Sequence, residues 1–426
     1  MKLSRYNWLV DCDEFTAAYN GFTGALARVE EDNVEAIKAL FKREDGISLE
    51  EFDQELIGQL KYGGFILEEN EDELEQLKYI HNVSRYDKEV NIITVVITQE
   101  CNMGCVYCYQ SQTQTAGRIS DDVISRLSEY LGTTGKTTQL TLYGGEPLLY
   151  PDKCIQTLES CKYSLDSAGK SCKAKLVTNG TLLSGEIAKE LSSLGLEQAQ
   201  VTLDGTQPVH DRQRPMLDGS GSYDRIIENI SRVSEHIKIR VRINVQESDQ
   251  RLSCEDIELL KDVLPENVQV YLAPVRYDHI GMDSALFDNT KYLYNNFGFG
   301  YRNPPLAAKV GNCIAPKISG IVLDWNGDIY NCWHEIGSGA KPVSNIKNDM
   351  QNMVEDRMRA QLKWERFRPY ETTPCIECRM LPTCGGGCPD DFISLGKPRC
   401  TFTTQQYRQF IRYNAMRLYE NKLSNQ

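Results

Sequence analysis

From residue 91 to residue 275 the sequence alternates regularly between short apolar, β-branched runs and amphipathic helical patterns. Candidate strands are Ile92–Ile97, Gln139–Tyr143, Ala174–Thr178, Gln198–Leu203, Lys238–Val245 and Val268–Leu272. Helical patterns lie between them at Asp121–Leu131, Asp152–Ser167, Gly185–Leu194, Tyr223–His236 and Cys254–Leu264. Such repetition demands parallel strands joined by right-handed crossovers. Six units fit a partial (β/α)6 barrel, an α/β fold whose functional loops sit at the C-terminal ends of its strands.

The loop after the first strand holds Cys101-Asn102-Met103-Gly104-Cys105-Val106-Tyr107-Cys108. Three thiolates at this spacing can hold three irons of a [4Fe–4S] cube. No fourth cysteine follows locally, which leaves one iron open. A zinc site would close with a fourth nearby Cys or His, and none is present. The spacing, with an aromatic residue before the last cysteine, resembles the radical S-adenosylmethionine (SAM) superfamily, in which the open iron binds the amine and carboxylate of SAM. The resemblance implies reductive cleavage of SAM to methionine and a 5′-deoxyadenosyl radical, which takes hydrogen from substrate.

After the second strand comes Tyr143-Gly144-Gly145-Glu146-Pro147, where paired glycines allow close backbone approach. One βα unit beyond Cys108, it resembles the GGEP segment of the same superfamily. The third strand ends in Thr178-Asn179-Gly180 and the fourth in Thr202-Leu203-Asp204-Gly205. Both ends resemble family segments whose small polar residues help to hold SAM. His210-Asp211, Arg214 and Gly221-Ser222-Tyr223-Asp224 continue the likeness. The resemblance thus implies SAM contacts at Tyr107, Gly144, Gly145, Glu146, Thr178, Asn179 and Thr202. Capping or loop hydrogen bonding is the alternative for the individual side chains.

Residues 306–426 change character and hold seven of the 15 cysteines. Cys313 is followed by Gly327, with four residues between it and Cys332, and then by Cys375-Ile376-Glu377-Cys378, Cys384, Cys388 and Cys400. Close Cys-x-x-Cys-type spacings with distant partners signal metal binding. The ordering resembles the seven-cysteine pattern of SPASM domains, which bind two auxiliary [4Fe–4S] clusters. The resemblance implies Cys375, Cys378, Cys384 and Cys400 around a distal cluster, and Cys313, Cys332 and Cys388 around a proximal one. Some relatives add an eighth cysteine just before the first, but none occurs between Cys254 and Cys313. Either another residue, with His334 a candidate, completes the proximal cluster, or an iron stays open to a substrate thiolate. Cys12, Cys154, Cys161, Cys172 and Cys254 show no ligand spacing and read as structural. Asn326-Gly327, between Ile321–Trp325 and Asp328–Cys332, predicts a hairpin, and Thr404–Lys422 predicts a closing helix.

Residues 1–90 carry 10 Lys and Arg against 21 Asp and Glu, which accounts for most of the net charge of −13. That excludes a basic nucleic-acid footprint and leaves either a solvated acidic surface or a face that steers a basic peptide. Strands at Trp8–Cys12 and Thr16–Tyr19, helices at Asn33–Lys42 and Leu49–Lys61, and a strand at Phe65–Leu67 give a winged-helix-like order. The expected organisation is therefore a winged-helix-like module (1–90), a radical SAM partial barrel (91–305) and a cysteine-rich SPASM domain with a closing helix (306–426). No signal peptide or spanning apolar run is visible. A cytoplasmic protein with no membrane partner is expected, its cysteines serving metal clusters rather than disulfides.

SPASM enzymes act mostly on peptides and proteins. Sulfatase maturases place an aspartate base just after the second SPASM cysteine; here that residue is Trp333, which cannot accept a proton. The first 90 residues resemble the element that takes a leader peptide as an added strand in peptide maturases. The implied activity is a peptide maturase that forms an intramolecular crosslink, thioether in preference to carbon–carbon. Three [4Fe–4S] clusters, SAM, a precursor peptide and a reductant such as flavodoxin or ferredoxin go with it. A sulfatase-type side-chain oxidase, or a cluster-bearing electron-transfer or scaffold protein that does not cleave SAM, is the alternative.

Overall fold

The computed structural model describes residues 1–42, 52–108, 110, 117–245, 253–274, 307–308, 313–400 and 403–423. The start of the helix expected at Leu49–Lys61 and the boundary expected at 305/306 lie outside the described residues.

The chain begins with β1 (Lys2–Leu3), β2 (Asn7–Asp11), β3 (Thr16–Asn20), β4 (Leu26–Val29), α1 (Val34–Leu40), α2 (Gln54–Tyr62), β5 (Ile66–Leu67) and α3 (Glu73–Arg85). The expected strand, strand, helix, helix, strand order is present, with β1, β4 and α3 added. β2–β3–β4 form an antiparallel meander, and β1 pairs with β5. Helix α3 is anchored through a buried carboxylate. Glu73 accepts hydrogen bonds from Ser4 Oγ at 2.6 Å and from the Arg5 amide at 3.0 Å.

The barrel strands are β6 (Val90–Val96), β7 (Thr137–Tyr143), β8 (Ser171–Thr178), β9 (Leu196–Leu203), β10 (Lys238–Val245) and β11 (Gln269–Pro274). Each pairs in parallel with the next. Between them run α4 (Asp121–Thr133), α5 (Pro151–Ser167), α6 (Gly185–Ser193), α7 (Gln207–Gln213), α8 (Tyr223–Val233) and α9 (Cys254–Val263). Serine caps start several of these helices. Ser120 accepts from the Val123 amide and Ser184 from Ile187, while Ser253 and Asp256 form a capping box. Their apolar stripes close one continuous core from Ile93 to Leu272. Cys154 and Cys161 are buried in it as small hydrophobes.

The predicted hairpin is β12 (Gly320–Leu323) and β13 (Asp328–Tyr330), turned at Gly327 with φ of +96°. It does not stand apart from the barrel. β12 lies parallel to β6, with Ile321 opposite Ile93 and Leu323 opposite Val95, and β14 (Ser344–Asn345) follows β13. One nine-stranded sheet therefore runs from β11 through the barrel into the cysteine-rich region.

That region continues with α10 (Met350–Trp364), 3-10 turns at Pro369–Glu371 and Cys375–Glu377, α11 (Leu381–Cys384), α12 (Pro389–Leu395) and α13 (Thr404–Leu423). α13 packs its Tyr407, Phe410 and Ile411 against Trp8, Val10 and Tyr19 of the first meander. The two ends of the chain thus share a hydrophobic core. No helix among the described residues is long and apolar enough to cross a membrane.

Candidate functional site

The loop after β6 is fixed from two sides by main-chain bonds. The Gly145 amide donates to Thr98 O at 2.9 Å and the Glu146 amide to Glu100 O at 2.8 Å. On the other side Gly104 donates to Pro215 O (2.8 Å), Val106 to Gln213 O (3.0 Å) and Leu217 to Asn102 O (3.1 Å). The two glycines at the end of β7 are required by this contact. A Cβ on Gly144 would stand 2.3 Å from Thr98 O, and one on Gly145 would stand 2.3 Å from Glu100 O. Backbone approach, which the sequence reading assigned to a ligand, is here made to the cysteine loop itself.

Glu146 is fully buried beneath that junction, where burial pushes its pKa up. Its carboxylate accepts from the Leu148 amide (2.9 Å), Thr178 Oγ (2.8 Å) and the Asn179 amide (2.7 Å). It therefore ties the end of β7 to the end of β8. Asn179 carries the connection onward, donating from Nδ2 to Asn102 Oδ1 at 2.8 Å and toward Cys101 Sγ at 3.9 Å. Hydrogen bonds to a ligating sulfur tune the metal it holds.

Tyr107, between Cys105 and Cys108, closes a second buried cluster. Its hydroxyl donates to Asp204 Oδ1 (2.8 Å) and accepts from Arg214 (2.8 Å) and Asn244 Nδ2 (2.9 Å). Burial works against the charge of Arg214, yet Tyr107, Cys105 and Asp204 hold its pKa above the usual arginine range. Burial raises the carboxyl of Asp204, with Arg214 opposing. Asp204 Oδ2 and Arg214 Nε have no hydrogen-bond partner among the described residues, so polar capacity remains at this position. Behind them His210 Nδ1 accepts from the Asp204 amide (3.2 Å), which puts the proton on Nε2, toward Ser222 Oγ (3.0 Å). Ser222 Oγ donates to Arg214 O at 2.8 Å. Asp211 accepts from the Ser222 and Tyr223 amides. The residues 210–224 singled out in the sequence are thus a latch that holds Arg214.

These groups border an open cavity of about 610 Å³ at the C-terminal ends of the strands. Cys101, Cys105, Cys108, Tyr107, Gly144, Gly145, Thr178, Asn179 and Thr202 line it, joined by Gln200, Arg242 and Asn244. Of the expected SAM contacts, Glu146 alone does not line it. The opposite wall comes from the cysteine-rich region, through Trp333, His334, Ser338, Asp390, Asp391 and Arg399. Trp333 meets Tyr143 with ring centroids 4.6 Å apart. Sequence reasoning missed Asn244 and Arg242, which no motif marks. Only their place at the end of a predicted strand pointed to them.

The three loop thiols suit an iron cluster as a donor set. Burial pushes Cys101 up to about 11, with Cys105 and Cys108 adding to the rise, so metal binding would displace protons. Among the described residues no three His, Cys, Asp or Glu side chains converge enough to share one metal ion. A cube places each thiolate on a different iron and needs space between sulfurs rather than a common focus.

Four of the seven later cysteines share one cavity. Cys375, Cys378, Cys384 and Cys400 line one cavity of about 110 Å³, and burial with the three neighbouring thiols pushes Cys375 up to about 12. Cys332 is buried among Trp364, Phe367 and Phe392, with Cys313 packed against this cluster. Cys313 also lines a recess of about 50 Å³, together with Cys384 and with Gly387 and Pro389 on either side of Cys388. Three groups from outside the cysteine pattern reach this recess: His81 and Arg85 of α3, and Lys317. Burial, then Arg85 and Lys317, lowers the pKa of His81 to about 4.

Residues 95–247 match the family model described as the radical SAM superfamily. An AdoMet-dependent heme synthase of Methanosarcina barkeri is 30% identical over 177 residues, 40% of this chain and 47% of its own. The chain spans less than half the length of the first curated relatives it matches. A serine-type anaerobic sulfatase-maturating enzyme of Bacteroides thetaiotaomicron is 22% identical over 398 residues, 80% of this chain and 94% of its own. Among solved structures, anSMEcpe with bound AdoMet aligns with a TM-score of 0.58 and 16% identity, over 79% of this chain and all of that one. Streptococcus suis SuiB bound to precursor peptide SuiA aligns with a TM-score of 0.54 and 17% identity, over 95% and 99%. These structural likenesses establish a shared fold.

Proposed function

Starting from a chain whose residues 95–247 are a radical SAM domain, we propose that it is a peptide maturase that forms an intramolecular crosslink in a ribosomally made precursor. The observation that carries this reading is the two-sided cavity, with barrel residues Tyr107, Asn179 and Thr202 on one wall and Trp333, His334 and Asp390 on the other. A stretch of polypeptide can enter between the barrel and a cysteine-rich wall. Bound SAM and its cluster would supply a 5′-deoxyadenosyl radical.

The residues divide the remaining work. Cys101, Cys105 and Cys108 would hold the cluster, and Asn179 steadies Cys101 and Asn102. Gly144 and Gly145 keep β7 against the loop, while Glu146 fixes Thr178 and Asn179 at the cavity floor. Tyr107, locked by Asp204, Arg214 and Asn244, holds the loop between its last two cysteines. Cys375, Cys378, Cys384 and Cys400 would hold one auxiliary cluster, and Cys313, Cys332 and Cys388 another. A flavodoxin- or ferredoxin-type reductant would supply electrons. Both faces of the β2–β3–β4 meander are covered, by α13 on one side and by Leu40, Leu60 and Phe65 on the other. Among the described residues the outer edge of β4 is unpaired, which suits addition of a leader strand.

Side-chain oxidation of the sulfatase type is the second reading, favoured by the relative that aligns over 80% of the chain. Against it stands Trp333, whose indole packs on Tyr143 and accepts no proton. Thioether formation needs a proximal iron open to a substrate thiolate, and a closed proximal cluster favours carbon–carbon bonding.

Anaerobic co-expression with short peptides encoded beside the gene, followed by mass measurement, tests the proposal. A loss of two hydrogens per modification is expected, with alkylation of thiols separating C–S from C–C products. Formation of 5′-deoxyadenosine with every peptide mass unchanged would overturn it.

A further inference from the structure

We propose that His81 is the fourth protein ligand of the proximal auxiliary cluster, completing the set Cys313, Cys332 and Cys388. The proposal rests on the reading above that these three cysteines hold a cluster. The distal set already has four thiols around one cavity, whereas the sequence pattern supplies only three to the proximal set.

His81 lies on α3, four residues after Leu77 and four before Arg85, so all three share one helix face. That face is turned into the cysteine-rich region: Leu77 packs with Tyr370 and Cys375, and Arg85 pairs with Glu365 at 3.2 Å. Between them the imidazole rests on two rings, Tyr370 at 5.0 Å and Phe367 at 5.9 Å between centroids. The rings fix its orientation, and it lines the recess that Cys313, both neighbours of Cys388 and Cys384 of the distal set also line; since that set already has four thiols, the imidazole falls to the proximal one. Its Nε2 is buried and has no hydrogen-bond partner among the described residues. A buried ring nitrogen without a partner is costly, and a metal bond removes that cost. Arg85 and Lys317 face the same recess, so a neutral ring is favoured there, and a neutral imidazole binds metal without releasing a proton.

His334, the candidate suggested by sequence proximity to Cys332, lines the large cavity instead. The two histidines therefore stand at different cavities. Ligation by His81 would close the proximal cluster to substrate thiolates and direct the crosslink toward carbon–carbon bonding. It would also make docking of α3 a condition of cluster assembly.

The test is spectroscopic and uses no peptide, so its failure is distinct from failure of the maturase reading. Full-length enzyme carrying C101A, C105A and C108A isolates the auxiliary clusters. Labelled with 15N-histidine, reconstituted and reduced, it is measured by pulsed electron paramagnetic resonance. A hyperfine coupling of a directly bound imidazole nitrogen is expected, lost in H81A and kept in H334A. Where H81A loses iron, H81C supplies a thiolate in its place and is expected to restore the iron content without the nitrogen coupling. Absence of any such coupling before substitution overturns the proposal, as does its persistence in H81A or H81C, its loss in H334A, or failure of H81C to retain the iron.

Discussion

Cys101, Cys105 and Cys108 stand on a loop held by main-chain bonds from β7 on one side and from residues 213–217 on the other. Cys375, Cys378, Cys384 and Cys388 stand on a 3-10 turn, a four-residue helix and three successive glycines, Gly385 to Gly387, with φ between +63° and +87°. The first set is pre-positioned by a parallel sheet whose core extends across the barrel. The second has little regular structure and small apolar clusters around it. A site of the first kind keeps its shape whether or not metal is bound. A site of the second kind, if it holds the proposed cluster, would draw much of its order from the metal, as small metal-coupled folds do.

The largest effect should come from breaking the second site. Replacing Cys375 and Cys384 by alanine is expected to expose residues 369–400 to proteolysis and hydrogen exchange while β6–β10 stay protected. Metal-coupled ordering of small sites can reach about 10 kcal/mol. Equal protection of both regions would erase the distinction. Gly145→Ala attacks the first site, since its Cβ meets the carbonyl oxygens of Glu100 and Gln99 at 2.3 and 2.5 Å. Crowding of this kind costs about 1–3 kcal/mol, and the expected readout is a loop that retains less iron while the cysteine-rich region is unchanged.

A pH experiment sharpens the comparison. Burial, helped by Arg214, lowers the pKa of His210 from 6.5 to about 3. Its neutral form is native, so its contribution is present above pH 6.5 and is lost as pH falls toward 3. Denaturant midpoints should fall on acidification from pH 7.5 to 5, and less so in H210N. An equal slope in the two proteins would show that the latch does not titrate. The smallest effect is expected from Tyr407→Phe. It removes hydroxyl bonds to Tyr19 (3.0 Å) and Thr383 (2.7 Å), worth about 1 kcal/mol each. The midpoint for separating the meander from α13 should drop without change at the barrel.

The barrel was legible because its strands carry β-branched apolar runs and its helices carry capped amphipathic stripes. Five helices and six strands lie where the pattern put them, to within a few residues at their ends. α7 was missed because Gln207–Gln213 carries Pro208 and no apolar periodicity. α3 was missed because most of its residues are polar and its burial depends on contacts distant in sequence, to Ser4 and Tyr6 on one side and to Glu365 and Tyr370 on the other. The parallel pairing of β12 with β6 joins segments more than 200 residues apart, and no local pattern encodes such a register. At the site, motif spacing pointed to Cys101, Cys105, Cys108 and the strand ends at Thr178 and Thr202, which line one cavity, but not to the direction in which each side chain acts. Glu146 was assigned to the ligand and instead holds Thr178 and Asn179, because a carboxylate buried at that depth is used up by protein donors. Tyr107, Asp204, Arg214 and Asn244 come from four separate segments and meet only in three dimensions.

The pairing of β12 with β6 also bears on how the chain can be dissected. Without β12, the strand that leads to the cysteine loop would present Ile92 to Val95 as a bare, apolar sheet margin. Unpaired margins of this sort recruit other chains. A truncation before residue 313 would therefore be expected to form inclusion bodies even though it keeps every barrel strand. The cysteine-rich region acts as a seal as well as a chemical wall, so recombination between relatives should succeed only when β6 and β12 are inherited together.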